Sequence, residues 1–274
     1  MTLTFLRATL VALVVLVLAA PAGAQTPADD PDRDINYAQP DFTLVALPTT
    51  LRVPKFKSAF RVTHRFTRPL GDGSFGDLAG DLFGLDSGAQ IGLEYRFGIM
   101  RGTQIGIYRT SNRTIEFFAQ YSGLQQRDNG MFGLDVIATI DGTDNFSDSY
   151  SPALGVVLSR ELGSHGALYF EPIWVNNSNP LPSELSDDNN TFLFGIGGRL
   201  RVRPTVYVVG EYIPRIGYSP GVDHITFGLE KRAGGHVFQI NFSNNIGTTP
   251  AQIARGGFDN EDWYIGFNIS RKFF

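Results

Sequence analysis

Residues 89–110 read AQIGLEYRFGIMRGTQIGIYRT and contain two stretches in which every second residue is apolar. This period of two is the signature of a β-strand with one apolar face. The short link Met100-Arg101-Gly102 separates the stretches, so the segment predicts a hairpin with strands at 89–99 and 103–110. The first strand sets Ile91, Leu93, Tyr95 and Phe97 against Gly92, Glu94, Arg96 and Gly98.

The same alternation recurs along most of the chain and predicts an all-β protein. The phase of the stretch 166–176 is ambiguous, and the lead-in 42–57 contains one further short candidate, so ten or fourteen strands are open alternatives to twelve. The twelve predicted strands are 58–68, 89–99, 103–110, 114–124, 131–141, 150–160, 166–176, 191–202, 205–213, 223–232, 236–243 and 262–274.

The links between the predicted strands differ in length in a regular way. Long links at 69–88, 177–190 and 244–261 follow odd-numbered strands, and tight turns at 203–204 and 233–235 follow even-numbered ones. Outer-membrane barrels show this asymmetry, with short periplasmic turns and longer external loops. The pattern predicts an up-and-down transmembrane antiparallel β-barrel of about twelve strands.

Alternation alone does not say which face points outward, so a soluble exported sandwich or a lipocalin-like barrel is the competing fold. Most strands have the length that crosses a bilayer at a tilt. The face opposite the apolar one carries charges of both signs, which suit a lumen and would be left unsolvated in lipid. We therefore predict a lumen-facing set: Arg61, Arg65, Glu94, Arg96, Glu116, Asp135, Arg199, Arg201, Glu211 and Glu230.

The beginning of the chain predicts export. Residues 1–24 hold one charge, Arg7, then an apolar run at 10–20 and an Ala-x-Ala site, which are typical of a cleaved signal peptide. Polar residues rich in Pro and Asp follow, so we interpret 25–57 as a flexible periplasmic N-terminal segment and 58–274 as the barrel. Without Arg7, 22 basic residues face 27 acidic ones, and a net charge of −5 gives no case for binding nucleic acid.

The sequence carries little sign of catalytic or metal chemistry. There is no cysteine, His165 lies in a predicted turn, and spacing places no serine beside His64 or His236. The acidic stretch 141–149 lacks the spacing of a calcium loop. Residues 195–200, GIGGRL, lie within a strand and open no helix, so they are not a nucleotide fingerprint. We predict no enzyme activity, no cofactor and no metal.

Several stretches resemble a bacterial family of unknown function, the one numbered 5777. They are LPTTLRVPKFKSAFRVTHRF (47–66), LFGLDSGAQIGLEYRF (82–97), GEYIPRI (210–216), GGHVFQINFSNNIGTTPAQI (234–253) and GFNISRKF (266–273). The resemblance runs from about residue 42 to the end of the chain. It implies an outer-membrane barrel in contact with lipid, and it brings no reaction, ligand or catalytic residue.

The last stretch, DWYIGFNISRKFF (262–274), is interpreted as the strand that closes the barrel against the first. The resemblance implies that the barrel-assembly machinery reads its aromatic end, with Phe267, Ile269, Phe273 and Phe274 as candidates. The apolar phase reaches Phe273 and not Phe274. Either the strand bulges near 270–272, or Phe273 is the effective terminal aromatic and Phe274 lies past the lipid face.

The leading functional hypothesis is a narrow channel for small polar solutes. Twelve strands lie between the filled eight-stranded barrels and the open sixteen-stranded porins. The lumen is therefore narrow, or plugged by residues 25–57 or by the 69–88 loop. Its arginines either select anions or pair with the acidic residues that nearly balance them. The competing hypothesis is a non-conducting barrel that presents loops 177–190 and 244–261 to a partner.

Overall fold

The strands form one closed antiparallel sheet, in which each strand pairs with its neighbours in the chain. The structure is a computed structural model that describes residues 31–128, 130–181, 184–219, 221–257 and 261–274. The predicted signal peptide, 1–24, lies outside these residues. The described barrel belongs to one compact unit, Asp32–Phe274.

Twelve long strands and one short one lie within the described residues, and their bounds follow the predicted ones closely. They are β1 (Ser58–Phe66), β2 (Ala89–Met100), β3 (Thr103–Thr110), β4 (Ile115–Leu124), β5 (Gly133–Gly142), β6 (Asp148–Glu161), β7 (Gly166–Asn176), β8 (Asn190–Arg203), β9 (Val206–Ile213), β10 (Arg215–Ile216), β11 (His224–Ala233), β12 (His236–Ser243) and β13 (Tyr264–Lys272). The two-residue β10 pairs with the beginning of β8, at Phe192 and Leu193.

The barrel closes through the pairing of β1 with β13. Their antiparallel register runs without a break from Arg65 opposite Gly266 to Ala59 opposite Lys272. The pairing of β8 with β9 completes the circuit. The predicted twelve-stranded, up-and-down antiparallel barrel is therefore confirmed, and no edge strand is left open among the long strands.

The two ends of the barrel differ. The turn end carries the start of β1 and the links 101–102, 125–132, 162–165, 204–205 and 234–235. Gly102 and Gly234 have φ angles of 76° and 59° in two of these turns, a conformation that glycine adopts at little cost. The loop end carries the links 67–88, 111–114, 143–147, 177–189, 214–223 and 244–263.

Helical segments are short. Short 3-10 segments occupy Pro31–Arg33, Leu82–Ser87 and Gln126–Asp128, the second of them kinked at Phe83 and Gly84, and short helical segments occupy Phe75–Gly80, Thr143–Phe146 and Pro250–Ala254. Among the described residues, no helix has the length and apolarity that crossing a bilayer requires.

Burial alternates along the strands in step with polarity. In β2 the apolar Leu93 and Tyr95 are exposed on the outside, whereas Glu94 and Arg96, which alternate with them, are buried on the inside. The outer face is thus apolar and the inner face carries the charged groups, which is the arrangement of a membrane barrel and the reverse of a soluble one.

Candidate functional site

The lumen is filled by the N-terminal segment, which enters from the turn end. We call residues 36–54 the plug. At the turn end, the side-chain amides of Asn36 and Gln39 donate to Glu161 Oε1 at 2.7 and 2.6 Å. The middle of the plug is buried, and Thr49 is fully inaccessible to solvent. The flexible segment expected over 25–57 is therefore wrong for residues 36–54, which are held inside the barrel.

The plug folds back on itself as a short hairpin, residues 42–49. Thr49 N–H donates to Phe42 O and Leu44 N–H donates to Leu47 O, both at 2.8 Å. Thr43 and Pro48 form the isolated bridge between its two arms. A turn in this position exposes several backbone N–H groups at its tip, and each of them needs an acceptor once water is excluded.

Glu211 of β9 supplies that acceptor. Its carboxylate accepts the backbone N–H groups of Val45, Ala46 and Leu47 at 2.6, 3.0 and 3.0 Å. Backbone carbonyls of the same tip are bound from β12 and β13: Gln239 Nε2 donates to Leu44 O at 2.8 Å, and Asn268 Nδ2 donates to Val45 O at 3.0 Å. Wall side chains therefore satisfy the hairpin tip on two sides.

Three glutamines bind the returning arm of the plug: one on β3, one on β4 and one directly after β4. Gln120 Nε2 donates to Thr49 O at 2.7 Å, and Gln125 Nε2 donates to Thr50 O at 2.8 Å. Gln104 Oε1 accepts the N–H of Val53 at 3.1 Å. A side-chain amide has both a donor and an acceptor. It can therefore satisfy the backbone N–H and C=O groups of a segment that is not paired in a β-sheet.

Two groups of buried ion pairs connect side chains of the barrel wall around the plug. Arg61 Nε donates to Glu94 Oε2 at 3.0 Å, and Arg96 Nε donates to Glu94 Oε1 at 3.0 Å. Arg199 forms a two-pronged pair with Glu230 at 2.6 and 2.8 Å, and both side chains are 0% exposed. Removing one partner of such a pair leaves an uncompensated buried charge and costs about 3–5 kcal/mol.

The link 244–257 descends into the barrel from the loop end. Thr249 caps the helix Pro250–Ala254 and donates its hydroxyl to Asp141 Oδ2 at 2.6 Å. Tyr108 donates to Thr248 Oγ1 at 2.7 Å. Arg215 binds the other end of the helix, because its Nη2 donates to Ala254 O at 2.9 Å.

An apolar cluster lines part of the lumen wall, and both insertions cover it. The apolar side chains of β5 to β9 pack with the plug hairpin and with the inserted helix. The cluster contains Leu44, Leu47, Ile137, Ala153, Val157, Ala167, Tyr169, Ile173, Val175, Leu193, Ile213, Ala251, Ile253 and Ala254. Strands β5 to β9 thus combine this apolar cluster with the buried polar groups Asp135, Asp141, Glu171, Arg199 and Glu211, whereas β1 to β4 and β11 to β13 form the polar half of the wall.

A family model described as a membrane bound beta barrel domain, domain of unknown function 5777, matches residues 41–273. The chain belongs to this family. Its exposed apolar face contacts lipid, and the resemblance seen in the sequence is confirmed. The matched region begins in the plug and includes every strand of the barrel, so the family covers the filled lumen as well as the wall.

Among solved structures, a porin shares the fold. The NanC porin is similar with a TM-score of 0.54 and 8% identity, over 78% of this chain and 98% of that chain. The outer membrane channel DcaP of Acinetobacter baumannii gives a TM-score of 0.36 and 9% identity, over 68% of this chain and 63% of that one. At such identity the likeness to NanC concerns the fold alone. A search of curated proteins gave no significant match.

Nine of the ten predicted lumen residues lie on the buried inner face of this family member. They are Arg61, Arg65, Glu94, Arg96, Glu116, Asp135, Arg199, Glu211 and Glu230. Arg201 is the exception: it lies half-exposed at the turn end, where its Nε donates to Pro204 O at 3.2 Å and its guanidinium lies over the Tyr37 ring.

Three further acidic or histidine side chains of the lumen were not predicted: Asp141, Glu171 and His224. Asp141 continues the phase of Asp135 along β5, so extending that strand by one residue would have found it. Glu171 was hidden because β7 is apolar on both faces. Its outer face contacts lipid, and its inner face packs against the plug and the inserted helix. Within the described residues, no group of three or more histidine and acidic side chains is placed to hold a metal ion.

The closing strand β13 keeps its phase to its end, so the alternative of a bulge near 270–272 is wrong. Phe267, Ile269 and Phe273 point outward, and Phe273 N–H donates to Ser58 O at 2.9 Å. Phe274 turns inward instead and packs against the buried cluster of Phe42, Leu51, Val53 and Ala59. The last aromatic therefore lies past the lipid face and contacts the plug.

Proposed function

We propose that the protein is a narrow outer-membrane channel for small polar solutes, and that the plug closes it in the state described. One observation supports this most: the plug binds the wall through side chains, whereas the long strands pair only with one another around the barrel. Departure of the plug would break no strand ladder. The barrel can therefore persist with its lumen empty.

The wall that the plug covers is suited to water on its polar half. Gln104, Gln120 and Gln239 would exchange their bonds with the plug for bonds with water at little net cost, because each protein hydrogen bond contributes only about 0.5–1.5 kcal/mol over its hydrated alternative. A twelve-stranded barrel is also wider than the eight-stranded barrels that side chains alone can fill. A polar solute of small size fits such a lumen.

We place the turn end in the periplasm, because short turns lie there in outer-membrane barrels. The plug then enters from the periplasmic side and the link 244–257 from outside. Export through the cleaved signal 1–24 and insertion by the barrel-assembly machinery complete this proposal. No step of it needs catalysis by the protein.

The alternative is a non-conducting barrel that binds a partner with its loops. The insertion of segments from both ends favours it, because both are extensively bonded to the wall. The 244–261 loop is a poor docking element in that case, since residues 251–254 are buried in the barrel. Loop 177–190, and not the inserted one, would have to meet the partner.

Planar-bilayer recordings separate the two functions. We would compare the refolded mature protein with a variant that lacks residues 32–53, after showing for both that boiling changes their migration on a gel, as expected of a folded barrel. Small or brief openings of the intact protein and larger, stable openings of the deletion variant support the channel. If neither protein conducts although both have been shown to insert into the bilayer, the channel function is rejected and the partner-binding barrel is favoured.

A disulfide gives a matched test of the plug as the gate. Thr50 Oγ1 of the plug lies 2.6 Å from Ser159 Oγ of β6, and the chain has no cysteine of its own. The double variant Thr50→Cys with Ser159→Cys should conduct only after reduction. The two single-cysteine variants are the controls, and their conductance should not respond to the reductant. A locked double variant that conducts like the reduced one would contradict gating by the plug.

A further inference from the structure

The buried charges of the barrel are unequal in number. Among the described residues, eight buried carboxyl side chains face four buried guanidinium groups and one imidazole, that of His224. The acids are Asp41, Glu94, Glu116, Asp135, Asp141, Glu171, Glu211 and Glu230, and the bases are Arg61, Arg65, Arg96 and Arg199. The interior therefore carries an acidic excess, and the near balance expected from the sequence is wrong.

The arginines are all engaged. Arg61 and Arg96 share Glu94, and Arg199 pairs with Glu230. Arg65 Nη1 donates to Asn268 Oδ1 at 2.9 Å and to His64 O at 3.0 Å. Two carboxylates thus neutralise three arginines, and the fourth is bound by neutral oxygens.

The carboxyls outside these pairs fall into two groups. Asp41, Asp135 and Glu211 are held by neutral donors: Ser270 Oγ donates to Asp41 Oδ2 at 2.5 Å, Ser122 Oγ to Asp135 Oδ1 at 2.6 Å, and the plug tip binds Glu211. The other three, Glu116, Asp141 and Glu171, each have at least one carboxyl oxygen that accepts no hydrogen bond from a neutral or basic donor among the described residues.

Those three acids lie on one side of the barrel wall. Glu116 of β4 and Asp141 of β5 are register partners near the loop end, and their carboxyls lie within hydrogen-bond reach of each other. Outside this acid pair, Glu116 Oε2 and Asp141 Oδ1 have no hydrogen-bond partner among the described residues. Glu171 is central in β7 and 0% exposed, and neither of its carboxyl oxygens has one. A buried polar group in this state is costly, and it is commonly kept for a ligand or for another state of the protein.

We propose that the path opened by the plug runs along the wall of β4 to β7, past these three carboxyls, and that it selects cations over anions. This inference rests on the proposed function and names its substrate class: small inorganic or organic cations. Fixed carboxylates lining a narrow, low-dielectric path concentrate cations and repel anions, as acidic rings do in cation channels. The sign is opposite to the anion preference that the arginines alone would give.

The test is the reversal potential in a KCl gradient across a planar bilayer. It uses the full mature chain, or the variant lacking residues 32–53 if the intact protein opens too briefly. We expect potassium to permeate better than chloride. The triple variant Glu116→Gln, Asp141→Asn and Glu171→Gln should shift the permeability ratio toward chloride by about twofold or more.

The control variant Asp72→Asn with Asp86→Asn removes charges only from the exposed 67–88 loop, and it should keep the wild-type reversal potential. Wild-type channels that prefer chloride or do not discriminate would overturn the inference even if the triple variant fails to fold. An unchanged ratio in a folded triple variant would overturn it as well. A complete absence of openings in both proteins is a different result, because it rejects the channel itself.

Discussion

The Glu211 carboxylate accepts the backbone N–H of Val45 at 2.6 Å, across 166 positions of sequence. With the N–H groups of Ala46 and Leu47 on the same carboxylate, this contact joins the middle of β9 to the tip of the plug hairpin. Charge-assisted bonds of this kind are stronger than neutral ones. We regard this contact as the main interaction that holds the plug in the lumen.

Replacing Glu211 by Gln should loosen the plug tip. The glutamine side chain has only one acceptor oxygen, and its NH₂ group would face the backbone N–H donors of the plug tip. We therefore expect the tip to lose about 1–3 kcal/mol of docking free energy. Hydrogen exchange at the amides of Val45, Ala46 and Leu47 measures this, and it should speed up by roughly tenfold or more, since 1.4 kcal/mol is a factor of ten. The variant Glu184→Gln, at an exposed position, is the control. If the exchange rates in the two variants are equal, Glu211 is not the main interaction that holds the plug.

Replacing Arg199 should act on stability. Arg199→Met leaves Glu230 buried without its partner, and we expect the free energy of unfolding to fall by about 3–5 kcal/mol. The double variant Arg199→Met with Glu230→Met should lose less, because no lone charge remains. Urea unfolding followed by the fluorescence of Trp174 and Trp263 measures both.

Arg201→Gln serves as the control for this series, because Arg201 lies half-exposed at the turn end. A surface change of this kind usually alters stability by less than about 0.5 kcal/mol. Equal losses in Arg199→Met and in the double variant would show that the lone carboxyl of Glu230 is not the cause.

The outside of this barrel could be predicted from sequence far better than its inside. Lipid imposes an alternation on most strands, so β3 and β12 begin and end at the predicted residues. The plug shows no periodicity, because its backbone bonds go to side chains from distant strands and not to a ladder. Glu171 was missed for the same reason: its neighbours Tyr169 and Ile173 face the plug and the inserted helix, so the inner face of β7 is apolar where a water-filled lumen would make it polar.

The 67–88 loop should depend on pH. Hydrogen bonds from Ser74 lower the pKa of Asp77, and the hydrogen bond from Arg68 lowers the pKa of Asp81. A lowered pKa in the folded loop means that the stabilising contribution is present above the ordinary carboxyl value of 3.8 and is lost as the pH falls through the folded value. We expect proteolysis of this loop to increase at acidic pH while the barrel stays intact.

Asp81→Asn tests the cause of this pH dependence. The variant lacks the charge that holds Arg68, and its amide replaces the oxygens that accept Gly84 N–H at 3.1 Å and Ser87 Oγ at 3.3 Å. Its loop should be cleaved at neutral pH about as readily as the wild-type loop at acidic pH. Asp86→Asn in the same loop is the control. A variant loop that resists the protease at neutral pH would show that Asp81 does not hold it.

The two terminal aromatics should behave differently. Phe273 is 48% exposed on the outer face, whereas Phe274 packs inward against Phe42 and Leu51 of the plug region. If the assembly machinery reads the outward aromatic, Phe273→Ala should lower the amount of folded barrel in the outer membrane of exporting cells more than Phe274→Ala does. Heat-dependent gel migration of membrane extracts measures the folded fraction.

Phe274→Ala should instead weaken the plug. Loss of a partly buried ring removes about 1–2 kcal/mol of apolar contact, so exchange at the amides of Leu51 and Val53 should speed up, while Phe273→Ala leaves it unchanged. Each variant is the control for the other: Phe273→Ala should change the folded fraction more than Phe274→Ala, and only Phe274→Ala should change amide exchange in the plug. A Phe274→Ala variant that assembles poorly and keeps a protected plug would reverse the two assignments.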